Sequence, residues 1–171
     1  MMSNVKCQMS NVKRGVTLIE LLLYMAIMSI FLLTLTDIFV SIVNVRLEGE
    51  ATSAVEQDGR YIVSRLAYDI NRASLVLAPG TYGSPGTNTL SIDIAGTTYT
   101  YSLSGSNFQL VNDLGANNLN SSESKVSNIN FQKIGNSGGK NTIKLSFTVT
   151  SVTERPSGPE SKTFQTTVGL R

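Results

Sequence analysis

Lys13-Arg14-Gly15-Val16-Thr17-Leu18-Ile19-Glu20-Leu21-Leu22-Leu23-Tyr24-Met25-Ala26 decides how the rest of the chain is read. Two cations and a glycine sit directly before a long apolar run. A single carboxylate, Glu20, interrupts that run at its fifth residue. An acid inside a membrane-length segment is costly and needs a reason. No residue from Leu21 to Thr36 is charged. With Val16–Ile19 before that stretch and Ile38–Val43 after Asp37, the apolar region covers residues 16–43. At about 1.5 Å per residue it is long enough to span a bilayer core. A secretory signal would have a shorter apolar core followed by a small-residue cleavage site, and no such site follows here. The positive-inside rule keeps Lys13 and Arg14 in the cytoplasm and places residues 44–171 outside. Asp37 marks the outer boundary of the span, because polar residues become frequent soon after it; pairing with a neighbouring subunit is the alternative. No proline or glycine lies between Gly15 and Gly49, so one continuous helix is expected.

The chain has 171 residues, enough for one cored domain plus an anchor. Residues 1–15 carry Lys6, Lys13 and Arg14 and no acid, while the body is close to neutral. That balance gives no nucleic-acid footprint. The lone cysteine, Cys7, excludes a disulfide within the chain. There is no histidine, which removes the commonest general base and metal ligand. Ser-His and Cys-His nucleophile systems are therefore excluded, and no phosphate-cradling loop is present. Asp93, Asp113, Glu123 and Glu154 are scattered and read as surface charge rather than a calcium site. No enzyme, metal or cofactor is expected. Met2-Ser3-Asn4-Val5-Lys6 recurs as Met9-Ser10-Asn11-Val12-Lys13, so translation can start at Met1, Met2 or Met9 without losing Lys13, Arg14 and Gly15.

Residues 44–73 keep a helical pattern. Ala51, Val55, Ile62, Leu66, Ile70 and Ala73 form one stripe expected to pack on a sheet. Arg46–Glu50, Glu56–Arg60 and Arg65–Asp69 are i,i+4 pairs expected on the opposite, solvated surface. Gly49 and Gly59 each cost about 1 kcal/mol relative to alanine, which predicts fraying or close packing there. A helix over residues 16–73 would be about 87 Å long. Residues 74–89, with Pro79-Gly80, Gly83 and Pro85-Gly86, read as a loop. Alternation then predicts strands through Leu90–Ile94 and Tyr99–Leu103, and a turn at 104–107 before Phe108 and Leu110. Further strands are predicted at Ile129–Phe131, Ile143–Val149 and Phe164–Leu170. Residues 112–125, 135–139 and 154–160 read as connections. Tyr99 and Tyr101 are expected in the sheet core. Alternating strands have one face to bury, and the amphipathic half of the helix supplies the cover.

The string from Lys13 to Ala26 resembles the class III signal of type IV prepilins and type II secretion pseudopilins. The stretch Glu56–Ala73 and the ending Phe164–Arg171 are similar to the J-type minor pseudopilins and W-type minor pilins. The resemblance implies an α+β pilin fold, with a long N-terminal transmembrane and amphipathic spine helix packed on a C-terminal antiparallel β-sheet. It divides the chain into a leader (1–15), a transmembrane assembly helix (16–43), an amphipathic continuation (44–75) and a β-rich globular domain (76–171). It implies cleavage by prepilin peptidase between Gly15 and Val16, with Lys13 and Arg14 as the basic leader residues. N-methylation of Val16 and a cysteine-free product follow. It also implies a minor subunit that initiates or caps a filament. Its partners would be prepilin peptidase, other pilins or pseudopilins, the inner-membrane assembly platform and, before assembly, membrane lipid. The family most often begins its mature chain with phenylalanine; here that residue is Val16.

Glu20 then has two readings. It is a membrane-edge carboxylate reaching for the headgroups, or it neutralises the Val16 ammonium of a neighbouring subunit and fixes axial register. Two other functional classes stand beside the filament subunit. One is a filament-tip binding or adhesion module for DNA, a surface or a secreted cargo, using the 112–125 segment. The other is an uncleaved single-pass membrane protein.

Overall fold

A computed structural model describes residues 15–83, 86–135 and 138–171. Its first element is the helix α1 (Leu18–Arg72). The chain divides into two compact units, Met1–Ile42 and Val43–Arg171.

In the first unit, Thr17 starts the helix. Its Oγ1 accepts from Glu20 N at 3.3 Å, and its carbonyl accepts from Leu21 N at 3.1 Å. This satisfies backbone N–H groups that a helix start leaves without partners. Leu, Ile, Phe and Met side chains then follow on every side, and all are exposed in the isolated chain. A helix that is apolar all round needs an apolar surround. Several hydroxyls are satisfied within the segment: Ser29 donates to Met25 O at 2.7 Å, Thr34 to Phe31 O at 2.8 Å and Thr36 to Leu32 O at 2.8 Å. Such back-bonding is what a lipid-facing segment requires.

In the second unit α1 becomes amphipathic. Ala51, Val55, Ile62, Leu66 and Ile70 are fully or almost fully buried, together with Ala73 just beyond the helix. The expected stripe is therefore the face that packs. The helix ends one turn from Asp93: Ala73 N bonds Ile70 O, and Ser74 N already bonds Asp93 O at 2.8 Å.

Among the described residues eight antiparallel strands follow: β1 (Leu75–Ala78), β2 (Leu90–Ile94), β3 (Thr97–Ser104), β4 (Asn107–Asn112), β5 (Gly115–Asn118), β6 (Ser124–Ile134), β7 (Thr142–Ser151) and β8 (Ser161–Gly169). They form two sheets, one ordered β1-β2-β3-β4-β5 and one ordered β6-β7-β8. The architecture is an α+β pilin-like fold, with a long N-terminal apolar helix packed against antiparallel sheets.

The aromatic core crosses from one sheet to the other. Tyr101 lies 6.0 Å from Phe108, Phe108 lies 6.3 Å from Phe131 and 6.5 Å from Phe147, and Phe147 lies 5.6 Å from Phe164. Ring separations in this range are favourable beyond simple area burial. Tyr101 is fully buried and Tyr99 packs against the core, as the strand spacing predicted.

Several boundaries differ from the sequence expectation. Helix α1 runs from Leu18 to Arg72 rather than 16–73. The predicted loop at 74–89 contains β1, which pairs with β2 through Leu75–Asp93 and Val76–Ile92. Four residues ahead of a Pro-Gly pair carry too short a period to separate from a loop. The predicted loop at 112–125 contains β5, Gly115-Ala116-Asn117-Asn118, an exposed strand with no apolar alternation to reveal it. The β6 strand begins at Ser124, well before Ile129. A bulge at Asn128 (φ 51°) shifts the buried positions from Ser124 and Val126 to Ile129, Phe131 and Lys133. One extra residue hides the alternation of that strand from a period-two search.

Of the expected ion pairs, Arg60–Glu56 forms at 3.1 Å and Arg65–Asp69 at 2.7 Å, while Arg46 and Glu50 make none. Asp69 is buried rather than solvated.

Gly59 has a packing reason. A Cβ there would lie 2.1 Å from the Phe164 ring on β8, so only glycine lets the helix and that strand approach so closely. A Cβ on Gly49 meets nothing within 4 Å. The two glycines should therefore respond with opposite sign. Gly59→Ala is expected to destabilise the fold by about 1–2 kcal/mol, overpacking outweighing the gain in helix propensity. Gly49→Ala is expected to stabilise it by up to about 1 kcal/mol. Urea titration of the full chain in micelles, followed by near-UV circular dichroism, reads both.

Candidate functional site

Two sets of polar groups on the helix stand out, one in each unit.

The first is the head of α1. Gly15, Val16 and Thr17 precede the helix and are exposed, with Val16 at 65%. The helix starts at Leu18, so Glu20 lies in its first turn. A carboxylate there is favoured by the positive end of the helix dipole. Thr17 and Glu20 have the spacing of a capping box, and the Thr17 half is made. The Glu20 side chain takes a different partner: Tyr24 Oη donates to its Oε1 at 3.0 Å. Its other oxygen, Oε2, has no bonding partner among the described residues. Lys13 and Arg14 lie outside the described residues. The sequence singles out Gly15, Val16 and Glu20, and the structure adds the contacts that Thr17 and Tyr24 make with Glu20. The capping-box spacing and the i,i+4 placement of Tyr24 were signals that could have found them.

The second set locks the amphipathic half of α1 to the sheets. Asp58 is buried and accepts three hydrogen bonds, from Ser121 N (2.9 Å), Ser121 Oγ (2.7 Å) and Ser124 Oγ (2.5 Å). Next to it the Asn120 amide bridges both sheets: Oδ1 accepts from Phe108 N on β4, and Nδ2 donates to Ser124 O on β6, each at 2.8 Å. One turn of chain thus ties helix, first sheet and second sheet together. Asp69 is 1% exposed and accepts from Arg65 Nε at 2.7 Å and from the Tyr101 hydroxyl on β3. Burial, reinforced by the hydrogen bond to Asp69, pushes the Tyr101 phenol well above its ordinary range. At the surface, Glu56 accepts from Lys162 on β8 and from Arg60. The Lys162 hydrogen bond is the main cause that holds its carboxyl below the usual value. Arg155 closes the β7–β8 connection by pairing with Glu160 at 2.7 Å and bonding Gly158 O at 3.0 Å.

These contacts are structural. They hold the helix on its sheets. Among the described residues no cluster of three or more Cys, Asp or Glu is placed to hold a metal ion. Asp113, Glu123 and Glu154 are exposed and Asp93 is half-buried beside Ser74.

Helix α1 is long and apolar enough to cross a membrane, by length and composition. Residues 10–36 match the family model of the prokaryotic N-terminal methylation motif. That motif, at the head of a long apolar helix and an α+β fold, supports a type IV pilin- or pseudopilin-like protein. The motif implies processing by prepilin peptidase and assembly with other pilins. No curated protein and no solved structure matches the chain.

The buried locks yield two predictions. Asp58→Ala leaves three donors without an acceptor and should cost about 2–4 kcal/mol in chemical denaturation. Tyr101 carries a proton in the folded state at pH values where the unfolded phenol has lost it. Stability held by this group is fully present below the ordinary phenol value of 10.0 and is lost as pH rises above it. One proton sets a slope of about 1.4 kcal/mol per pH unit on that limb. The wild-type minus Tyr101→Phe difference in stability, measured from pH 9 to about 12, should show that slope.

Proposed function

We propose that the chain is a minor subunit of a type IV pilus or type II secretion pseudopilus, of the J or W type, that initiates or caps the filament. The precursor spans the cytoplasmic membrane through residues 16–43, with Lys13 and Arg14 inside and residues 44–171 outside. Prepilin peptidase cleaves after Gly15, and the new Val16 amine is methylated. The helix then leaves the bilayer laterally into the filament, where an apolar surround is again available. Residues 44–75 carry the spine into the globular domain of residues 76–171.

The observation that carries this reading is the placement of Glu20. An acid at the head of an otherwise apolar helix, with Oε2 unbonded among the described residues, suits a cation delivered by a neighbour. Cleavage after Gly15 creates that cation four residues away, on Val16. Pairing the Val16 ammonium of one subunit with the Glu20 carboxylate of the next removes the cost of either charge alone and fixes axial register. The exposure of Gly15 and Val16 ahead of the first helical residue is what a peptidase acting on extended chain needs.

Intact-mass and N-terminal peptide mass spectrometry of the protein from its native host tests the processing step. A mature chain beginning at N-methylated Val16 is expected. A chain retaining Lys13-Arg14-Gly15 would instead make it an uncleaved membrane anchor. Glu20→Ala is expected to be cleaved and yet to enter filaments poorly, measured as the filament-to-membrane ratio of the mature chain.

A further inference from the structure

We propose that Tyr24 is a positioning residue for Glu20: its hydroxyl holds one carboxylate oxygen so that the other is presented to the incoming ammonium. The inference rests on the filament-subunit reading given above and adds a residue to it.

Glu20 and Tyr24 are four residues apart, hence on one face of α1. Helical side chains lean toward the N-terminus, which carries the Tyr24 ring back over the preceding turn. The hydroxyl meets Glu20 Oε1 at 3.0 Å, and the phenolic proton has no other partner among the described residues. The backbone side of Glu20 is fixed as well, since its N–H is held by Thr17 Oγ1. Thr17 and Tyr24 therefore bracket Glu20 from the turn before and the turn after. Oε2 remains for a ligand.

The chemistry asks for this arrangement. Before assembly the carboxylate sits at the edge of an apolar medium, where an unpartnered charged group is expensive. A hydrogen bond to an ionised group is among the stronger neutral-to-charged contacts a side chain can make. A tyrosine supplies it without adding a charge, and its ring adds to the exposed apolar surface of the segment. After cleavage, an N-methylated ammonium has two N–H donors left, and one oxygen with fixed direction accepts from it. The ligand class is a secondary ammonium at a chain terminus. A phenylalanine at this position would keep the ring and lose the donor.

Tyr24→Phe, Glu20→Gln and the double variant test the assignment in the full chain. Infrared difference spectra in lipid nanodiscs, each taken against its Glu20→Gln counterpart, isolate the Glu20 carboxylate. Its stretching band is expected to move on Tyr24→Phe; an unmoved band overturns the proposal whatever happens in filaments. In the native host, Tyr24→Phe is expected to be cleaved normally and to lose about tenfold in incorporation, the size of one hydrogen bond to a charged group. The Tyr24→Phe loss should vanish when Glu20→Gln is already present. Wild-type incorporation of Tyr24→Phe alongside failure of Glu20→Gln overturns the role of Tyr24 and leaves the role of Glu20 standing. Normal incorporation of Glu20→Gln overturns the charge-register reading itself, and the role of Tyr24 with it.

Discussion

Ala51, Val55, Ile62, Leu66 and Ile70 supply the cover that both sheets need. Each sheet has an apolar face that must leave water, and the two sheets bury theirs against the same helical stripe. Tyr101, Phe108, Phe131 and Ile143 belong to the same buried cluster as that stripe. The rest of the second unit depends on it: the Gly59–Phe164 approach, the Asp58 clamp and the Asp69–Tyr101 bond all require the helix to lie where the stripe puts it.

The polar locks complement this packing. Hydrophobic contact is non-directional, and an apolar stripe alone would tolerate sliding along the sheet. Asp58 and Asp69 lie on the buried side of the same helix, three turns apart, and each reaches a different part of the β-domain. An ionised side chain is costly to bury unless its acceptors are filled, and here three donors meet Asp58 and two meet Asp69. Displacement by a single residue would break these bonds. Within the second unit, such a lock keeps residues 51–70 of the helix in fixed register with the strands they cover.

The first unit obeys a different solvent. Its side chains are mostly apolar, and Ser29, Thr34 and Thr36 bond back to its own carbonyls. Glu20 and Asp37 are its acids, and the polar groups near Glu20, Thr17 and Tyr24, both bond to it. A helix of this composition is suited to a surround that offers no water.

Much of this was legible in the residues themselves. The uncharged run from Leu21 to Thr36 specifies a helix in any apolar medium, because only internal hydrogen bonding satisfies its backbone there. The string Gly15-Val16-Thr17-Leu18-Ile19-Glu20 lies within the matched methylation motif, and its resemblance to the prepilin signal is visible in the residues themselves. The stripe from Ala51 to Ala73 and the strands at Leu90, Ile143 and Phe164 follow from periods of 3.6 and two. Tertiary structure decided the rest. Asp69 looked like half of a surface pair, because i,i+4 spacing is blind to which side of the helix the sheet will cover. Gly59 was a helix flaw until Phe164, distant in sequence, gave it a neighbour. The strand β5 and the start of β6 carry no clean alternation, one because it is exposed and the other because Asn128 inserts a bulge. Those features arise from contacts between residues far apart in the chain, which local period and composition cannot encode.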